Sequence, residues 1–196
     1  MSDPDAGEAL ESEDDLRPSP LVLVCGVVAI GVISALSLPW PVAIASTLLG
    51  TLMVAGADVD ARTFLLPDPI TWGAVASGIV AAPLLDAATP WIAAGEAIAR
   101  AGCIAALLAL FRAGYAWIRR GEGLGLGDVK LAAAIGAWLP FEAIPLCFGL
   151  AASSALVTVM FARLNGQAVT RTTRIPFGAF LCPALWIVFY MDSLTR

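Results

Sequence analysis

Two short stretches of this chain carry acids where an acid is costly to keep. The first is Gly121-Glu-Gly-Leu-Gly-Leu-Gly-Asp-Val-Lys130, a glycine-rich turn ending near Asp128. It joins an apolar run that stops at Arg119-Arg120 to another that begins at Leu131. The second is Ala57-Asp-Val-Asp-Ala-Arg-Thr-Phe-Leu-Leu-Pro-Asp-Pro-Ile-Thr71, where Asp58, Asp60 and Asp68 compete for a chemical role. Acids at the mouth of membrane helices are expensive and by default functional. Two carboxylates close enough to share a proton can hydrolyse a peptide, because like charges a few ångströms apart do not both ionise. The ionised member takes a proton from water and the protonated one polarises the scissile carbonyl. Such a pair titrates as a unit, so sequence does not divide base from acid.

The residues around each acid also have plainer uses. Gly121, Gly123, Gly125 and Gly127 permit tight or left-handed backbone and let a substrate strand approach without side-chain clash. They also suit a flexible turn before a helix capped by Asp128. On a continuing helix Asp58 and Asp60 project about 200° apart, so they do not face the same partner. Pro67 ends the segment, and Asp68 suits a turn or cap before the next helix. Arg62 is expected to meet phosphates or interfacial water.

The elements that hold these acids must be membrane helices. Of the 196 residues, 59% are hydrophobic and 14% charged, with a mean hydropathy of +0.86. A soluble domain is near half apolar and about a quarter charged. Much of the net charge of -5 comes from Asp3, Asp5, Glu8, Glu11, Glu13, Asp14 and Asp15. That stretch has the composition of a disordered tail and lacks the basic start and cleavage site of a signal peptide. Nucleic-acid binding is not indicated. The absence of histidine removes Ser-His-Asp and Cys-His catalysis and His-ligated zinc. Cys25, Cys103, Cys147 and Cys182 lie far apart in apolar runs, form no CxxC pair and are expected to be packing residues. No metal and no cofactor is expected.

Spans need roughly twenty apolar residues. The candidates are 20–38, 41–57, 69–86, 97–118, 129–145, 146–163 and 176–193. The expectation is an all-α, polytopic transmembrane bundle of about seven spans. Leu38-Pro-Trp-Pro41 and Asp86-Ala-Ala-Thr-Pro90 make turns, and Glu96 can pair with Arg100 at i,i+4 as a surface ion pair. With the N-terminus cytoplasmic, Arg17, Arg62, Arg112, Arg119, Arg120, Lys130, Arg163, Arg171 and Arg174 fall in or beside inside loops, leaving Arg100 and Arg196 outside. The positive-inside rule selects that orientation. It then puts Asp60, after the second span, and Asp128, before the fifth, on the cytoplasmic side. The expected organisation is an acidic tail over 1–19, an extra helix over 20–40 and a catalytic domain over 41–196.

These motifs resemble the prepilin peptidases, membrane aspartyl proteases with a Gly-x-Gly-Asp signature. Gly125-Leu-Gly127-Asp128-Val-Lys130-Leu131 matches that signature with its Lys-Leu extension. Asp60 precedes Pro67 by seven positions, as the first acid does in the family, and this spacing selects Asp60 over Asp58. Ile175-Pro176-Phe177-Gly178-Ala179 is similar to the family's Pro-Phe-Gly element before the last span, with Ala179 where a second proline is common. The resemblance covers roughly 42–193. It implies Asp60 and Asp128 as catalytic residues, with Gly125, Gly127, Lys130, Pro67, Pro176, Phe177 and Gly178 shaping the loops or the substrate site. Larger members carry an N-terminal cysteine-tetrad domain linked to methylation. With no such tetrad here, the resemblance carries over the peptidase activity and leaves methyl transfer unassigned.

The resemblance implies pilin-like or pseudopilin precursors as partners, with a basic leader, a glycine before the cut and an apolar helix after it. It also implies association with pilus or secretion assembly proteins and a place in the inner (cytoplasmic) membrane of a prokaryote. Arg119, Arg120 and Lys130 would repel a basic leader, whereas Asp58, Asp68 and the tail could attract it, although the plainer reading of the tail is a solubilising segment. A rival is a small transporter using both acids as a proton relay or cation site, but it calls for acids deep within spans. An inactive assembly scaffold and a presenilin-like protease are further rivals. The latter would want its first acid inside a span and beside a tyrosine, and the only tyrosines are Tyr115 and Tyr190.

Overall fold

The computed structural model describes residues 17–119, 125–165 and 176–195. All their regular structure is helical: α1 (Pro20–Ser37), α2 (Trp40–Thr63), α3 (Asp68–Leu85), α4 (Pro90–Arg119), α5 (Leu126–Trp138), α6 (Ile144–Leu164) and α7 (Phe177–Thr195). Among the described residues, six helices are long and apolar enough to cross a membrane. The exception is α5, which has 13 residues. Prolines open α1, α2, α3 and α6 at their first or second position. Proline fits there because its missing N–H would have had no helical partner.

The boundaries differ most from expectation where polar residues find partners. α2 does not stop at 57 but continues to Thr63. Arg62 bonds to Asp58 at 2.8 Å one turn back, and the Thr63 hydroxyl donates to the Val59 carbonyl at 2.8 Å. Asp60 therefore lies in the last turn of a spanning helix and not in the loop after it. Likewise α4 begins at Pro90 and not at 97, and the fifth element closes at Trp138 before a turn over 140–143. Asp128 lies inside the first turn of α5, whose N-cap is Gly125, so it is not the N-cap residue itself.

Short α5 is the centre of the bundle and packs against α3, α4 and α7. Leu131, Ala132, Ala134, Ile135 and Ala137 are buried on it. Small residues let its backbone approach neighbouring helices closely, the usual basis of helix packing in lipid. At Gly136 any Cβ would come within 2.5 Å of the Arg100 carbonyl oxygen on α4. Trp138 donates its indole N–H to the Ala74 carbonyl at 2.8 Å and meets Phe189 edge-on at 5.1 Å.

Glu96 and Arg100 pair at 3.2 Å as expected, but Arg100 does more than form a surface ion pair. Its Nε also donates to the Gly136 carbonyl at 3.3 Å, tying α4 to the last turns of α5. A cavity of about 430 Å³ opens at this end, lined in part by Asp86, Glu96, Arg100, Trp138 and Asp192. The four cysteines divide: Cys147 and Cys182 are buried, while Cys25 and Cys103 face outward and so do not pack in the core.

Candidate active site

The opposite end of the bundle gathers the last turn of α2 and the first turns of α3, α5 and α7. Asp60 is 6% exposed. Its Oδ2 accepts the Ala179 N–H at 2.7 Å, and the Gly178 N–H also bonds to its carboxylate. The first amides of a helix have no partner within it and favour a negative group nearby. The carboxylate of α2 thus caps α7, and the Pro176-Phe177-Gly178 element serves to present those amides. Gly178 is required sterically, since a Cβ there would lie 2.8 Å from Asp60 Oδ2. Ala179 contributes a bond that proline, lacking an N–H, would not.

The turn that carries Asp60 closes on Phe64, whose N–H donates to the Asp60 carbonyl at 2.9 Å. Phe64 has φ 56° and is the only non-glycine residue with positive φ among those described. Left-handed backbone is unfavourable for a bulky side chain, and residues held this way cluster at functional sites.

Asp128 holds the third position of α5, just ahead of the span expected from 129. The Gly125 N–H bonds to its carboxylate, the reach-back of a third-position acid to the N-cap. Burial, and secondly the negative charge of Asp60, push its carboxyl up to about 6. Two acids 68 positions apart in sequence (128 less 60) thus lie within each other's field. Gly125 has φ −68° and ψ 151°, so the left-handed geometry open to glycine is not used there. At Gly127 a Cβ would sit 3.0 Å from the Cβ of Leu66. That close approach lays the Leu66-Pro67-Asp68 turn against the first turn of α5.

Lys130 forms an ion pair with Asp68 across the same contact. It is therefore bonded to an acid, not presented as a bare positive charge towards a leader. Pro67, the N-cap of α3, sets the direction of that helix at the junction. Arg62, expected at phosphates or water, instead bonds Asp58 and the Arg17 carbonyl. Cys182 is fully buried nearby, its Sγ 3.1 Å from where a Cβ on Gly56 would lie. Among the described residues no three His, Cys, Asp or Glu side chains cluster to hold a metal ion. Gly121, Gly123, Arg120, Arg171 and Arg174 lie outside the described residues, as does the side chain of Arg119.

Among the described residues the expected site residues gather at this end, and the sequence reading missed the Ala179 amide, Phe64 and the Lys130–Asp68 pair. Only the opposite charges of the last pair leave any signal in a sequence. The fold and site define a multi-pass helical membrane protein with two interacting acids at one end. The chain belongs to the type IV leader peptidase family, whose model matches residues 47–161 and includes both Asp60 and Asp128. It is 31% identical to a prepilin leader peptidase/N-methyltransferase of Aeromonas hydrophila over 186 residues, 90% of this chain and 60% of that protein. It is 36% identical to the leader peptidase HopD of Escherichia coli over 139 residues, 69% of this chain and 84% of HopD. The chain thus spans about three fifths of the length of the Aeromonas relative. No solved structure matches it.

Proposed function

We propose that this chain is a membrane aspartic endopeptidase that removes the leader from type IV prepilin-like precursors. The observation that carries this reading is the meeting of Asp60 and Asp128 at one end of the bundle, one held by the amides of α7 and the other raised by burial and by its partner's charge. With one proton between them, the ionised carboxylate takes a proton from water as the oxygen attacks the scissile carbonyl. The protonated carboxyl gives its hydrogen to the carbonyl oxygen. The tetrahedral diol then gives one hydroxyl proton back to the second carboxylate as its C=O reforms and its C–N bond breaks, while the first carboxyl passes its proton to the leaving nitrogen, which becomes the new N-terminus. Neither metal nor thiol is needed. The proposal covers cleavage alone and not methyl transfer.

The substrate's apolar helix would lie in the bilayer with its basic leader in the cytoplasm, bringing the scissile bond to the depth of the pair. In this reading the site faces the cytoplasm at the inner membrane, and 41–196 is the catalytic unit. Cysteine labelling in a background lacking the native cysteines should reach position 89, in the α3–α4 turn, only from outside. Position 165, after α6, should label only from the cytoplasm. Labelling of 89 from the cytoplasm and 165 from outside would overturn the orientation, and labelling of both from one side the arrangement of the spans between them.

The reading is tested by incubating the purified chain in liposomes with such a precursor and following release of the leader. Cleavage should survive chelators and simultaneous Cys→Ala replacement, apart from packing losses of about 1–3 kcal/mol at the buried cysteines. Loss to a chelator, reversed by one divalent ion, would instead mark the acids as ligands of a hard cation. The raised carboxyl of Asp128 is protonated below about 6 and ionised above it. kcat/KM should therefore fall as pH rises through that value and the pair loses its shared proton, and fall again in acid once both are protonated. A flat profile between about pH 4 and 8 would contradict the paired-acid chemistry.

A further inference from the structure

Asp58 caps a helix to which it does not belong. Ser19, the N-cap of α1, makes no side-chain bond to its own helix. It gives its backbone N–H to Asp58 Oδ2 at 2.7 Å and its hydroxyl to Oδ1 at 2.8 Å. Arg62 donates to the same Oδ2 at 2.8 Å and to the Arg17 carbonyl at 2.7 Å. These bonds fasten the start of α1 to residues 58–62 of α2, and Asp60 lies in the middle of that turn, on the other helix face.

α1 is also fastened at its far end. The hydroxyls of Ser34 and Ser46 are bonded at 2.9 Å in the buried interior, and Trp186 of α7 donates its indole N–H to Ser46 at 3.1 Å. The hydroxyls of Ser37 and Tyr190 are bonded at 2.8 Å. α1 therefore braces α2 and α7, the two helices between which Asp60 is held. It does so although the family match begins only at residue 47.

Resting on the reading that Asp60 and Asp128 cleave a peptide, we propose that Asp58 is a positioning residue, which with Ser19 uses α1 to fix the turn of α2 that aims Asp60. Displacing a catalytic group by ~1 Å can cost about 10²-fold. The amides of Gly178 and Ala179 still hold Asp60 when the clamp is cut, so the expected loss is smaller. In liposomes containing the full chain and a precursor with a basic leader, a glycine and an apolar helix, Asp58→Ala should lower kcat about tenfold per folded molecule, with KM within about twofold.

Asp58→Asn keeps an acceptor for the Ser19 N–H and should restore kcat to within about threefold of wild type. Ser19→Ala should lower kcat about two- to threefold alone and add nothing to Asp58→Ala, since both cut one contact. The proposal is overturned by wild-type kcat in Asp58→Ala, by Asn failing as badly as Ala, or by losses that multiply in the double variant. If Asp58→Ala does not fold, Ser19→Ala decides, and an unaltered kcat in it overturns the proposal. Failure of the wild-type chain to cleave would instead overturn the proposed function. Cleavage lost in Asp128→Asn but undiminished in Asp58→Ala would remove only the positioning role.

Discussion

Asparagine in place of Asp60 or Asp128 should reduce leader cleavage by about 10³-fold or more, at the strong end of what acid–base groups contribute. Asparagine keeps the shape and an acceptor oxygen while removing the titrating group. Asp60→Asn should therefore still accept the Ala179 N–H and fold, but leave the pair with a single titrating carboxyl. Asp128→Asn leaves the pair without its second titrating carboxyl. Asp58→Asn and Asp68→Asn, which alter pairs outside the reacting centre, should keep cleavage within about threefold and about tenfold of wild type respectively. Cleavage kinetics on matched amounts of folded protein check all four. Activity in Asp60→Asn with none in Asp58→Asn would move the first catalytic acid to position 58.

Alanine at Gly178 should be nearly as damaging, for a steric reason. Its Cβ would stand 2.8 Å from Oδ2 and 2.9 Å from Cγ of Asp60. Either the carboxylate rotates away from the α7 amides or the start of α7 shifts, and both misplace a reacting group. A loss of about 10²-fold in kcat/KM is expected, in line with a displacement near 1 Å. The accompanying loss of stability should be no more than about 1–3 kcal/mol. Gly149→Ala on α6, where a Cβ meets nothing within 4 Å, is the control: it should leave kcat/KM unchanged and cost no stability, raising it by up to about 1 kcal/mol. Thermal unfolding measured beside kcat/KM separates the two effects. Wild-type activity in Gly178→Ala would show that Asp60 does not depend on that contact.

The spans were legible because lipid imposes a demand on composition that few soluble sequences meet, and prolines marked several helix starts. Helical geometry separated Asp58 from Asp60, while the choice of Asp60 came from the family resemblance, through its spacing to Pro67. What escaped depended on tertiary partners. The extension of α2 to Thr63 runs through charged residues that composition assigns to a loop, and they remain helical because Asp58, Asp60 and Arg62 are all satisfied there. The donors to Asp60 are main-chain amides, which carry no side-chain signature at Gly178 or Ala179. Phe64 takes a left-handed conformation usually reserved for glycine, so its residue type argues against its geometry. The extra first helix had no assigned role because its polar anchors, Ser19, Ser34 and Ser37, are unremarkable until their partners are in place.

The claim that Asp60 and Asp128 act as one catalytic unit is tested most directly by the double variant. Residues that act together are strongly non-additive, so removing the second costs little once the first is gone. kcat/KM for a leader-bearing precursor should fall about 10³-fold or more in Asp60→Asn and in Asp128→Asn, and the double variant should be no slower than the slower single. Cleavage at the wild-type rate by either single variant would contradict the account, as would two modest losses that simply multiply in the double.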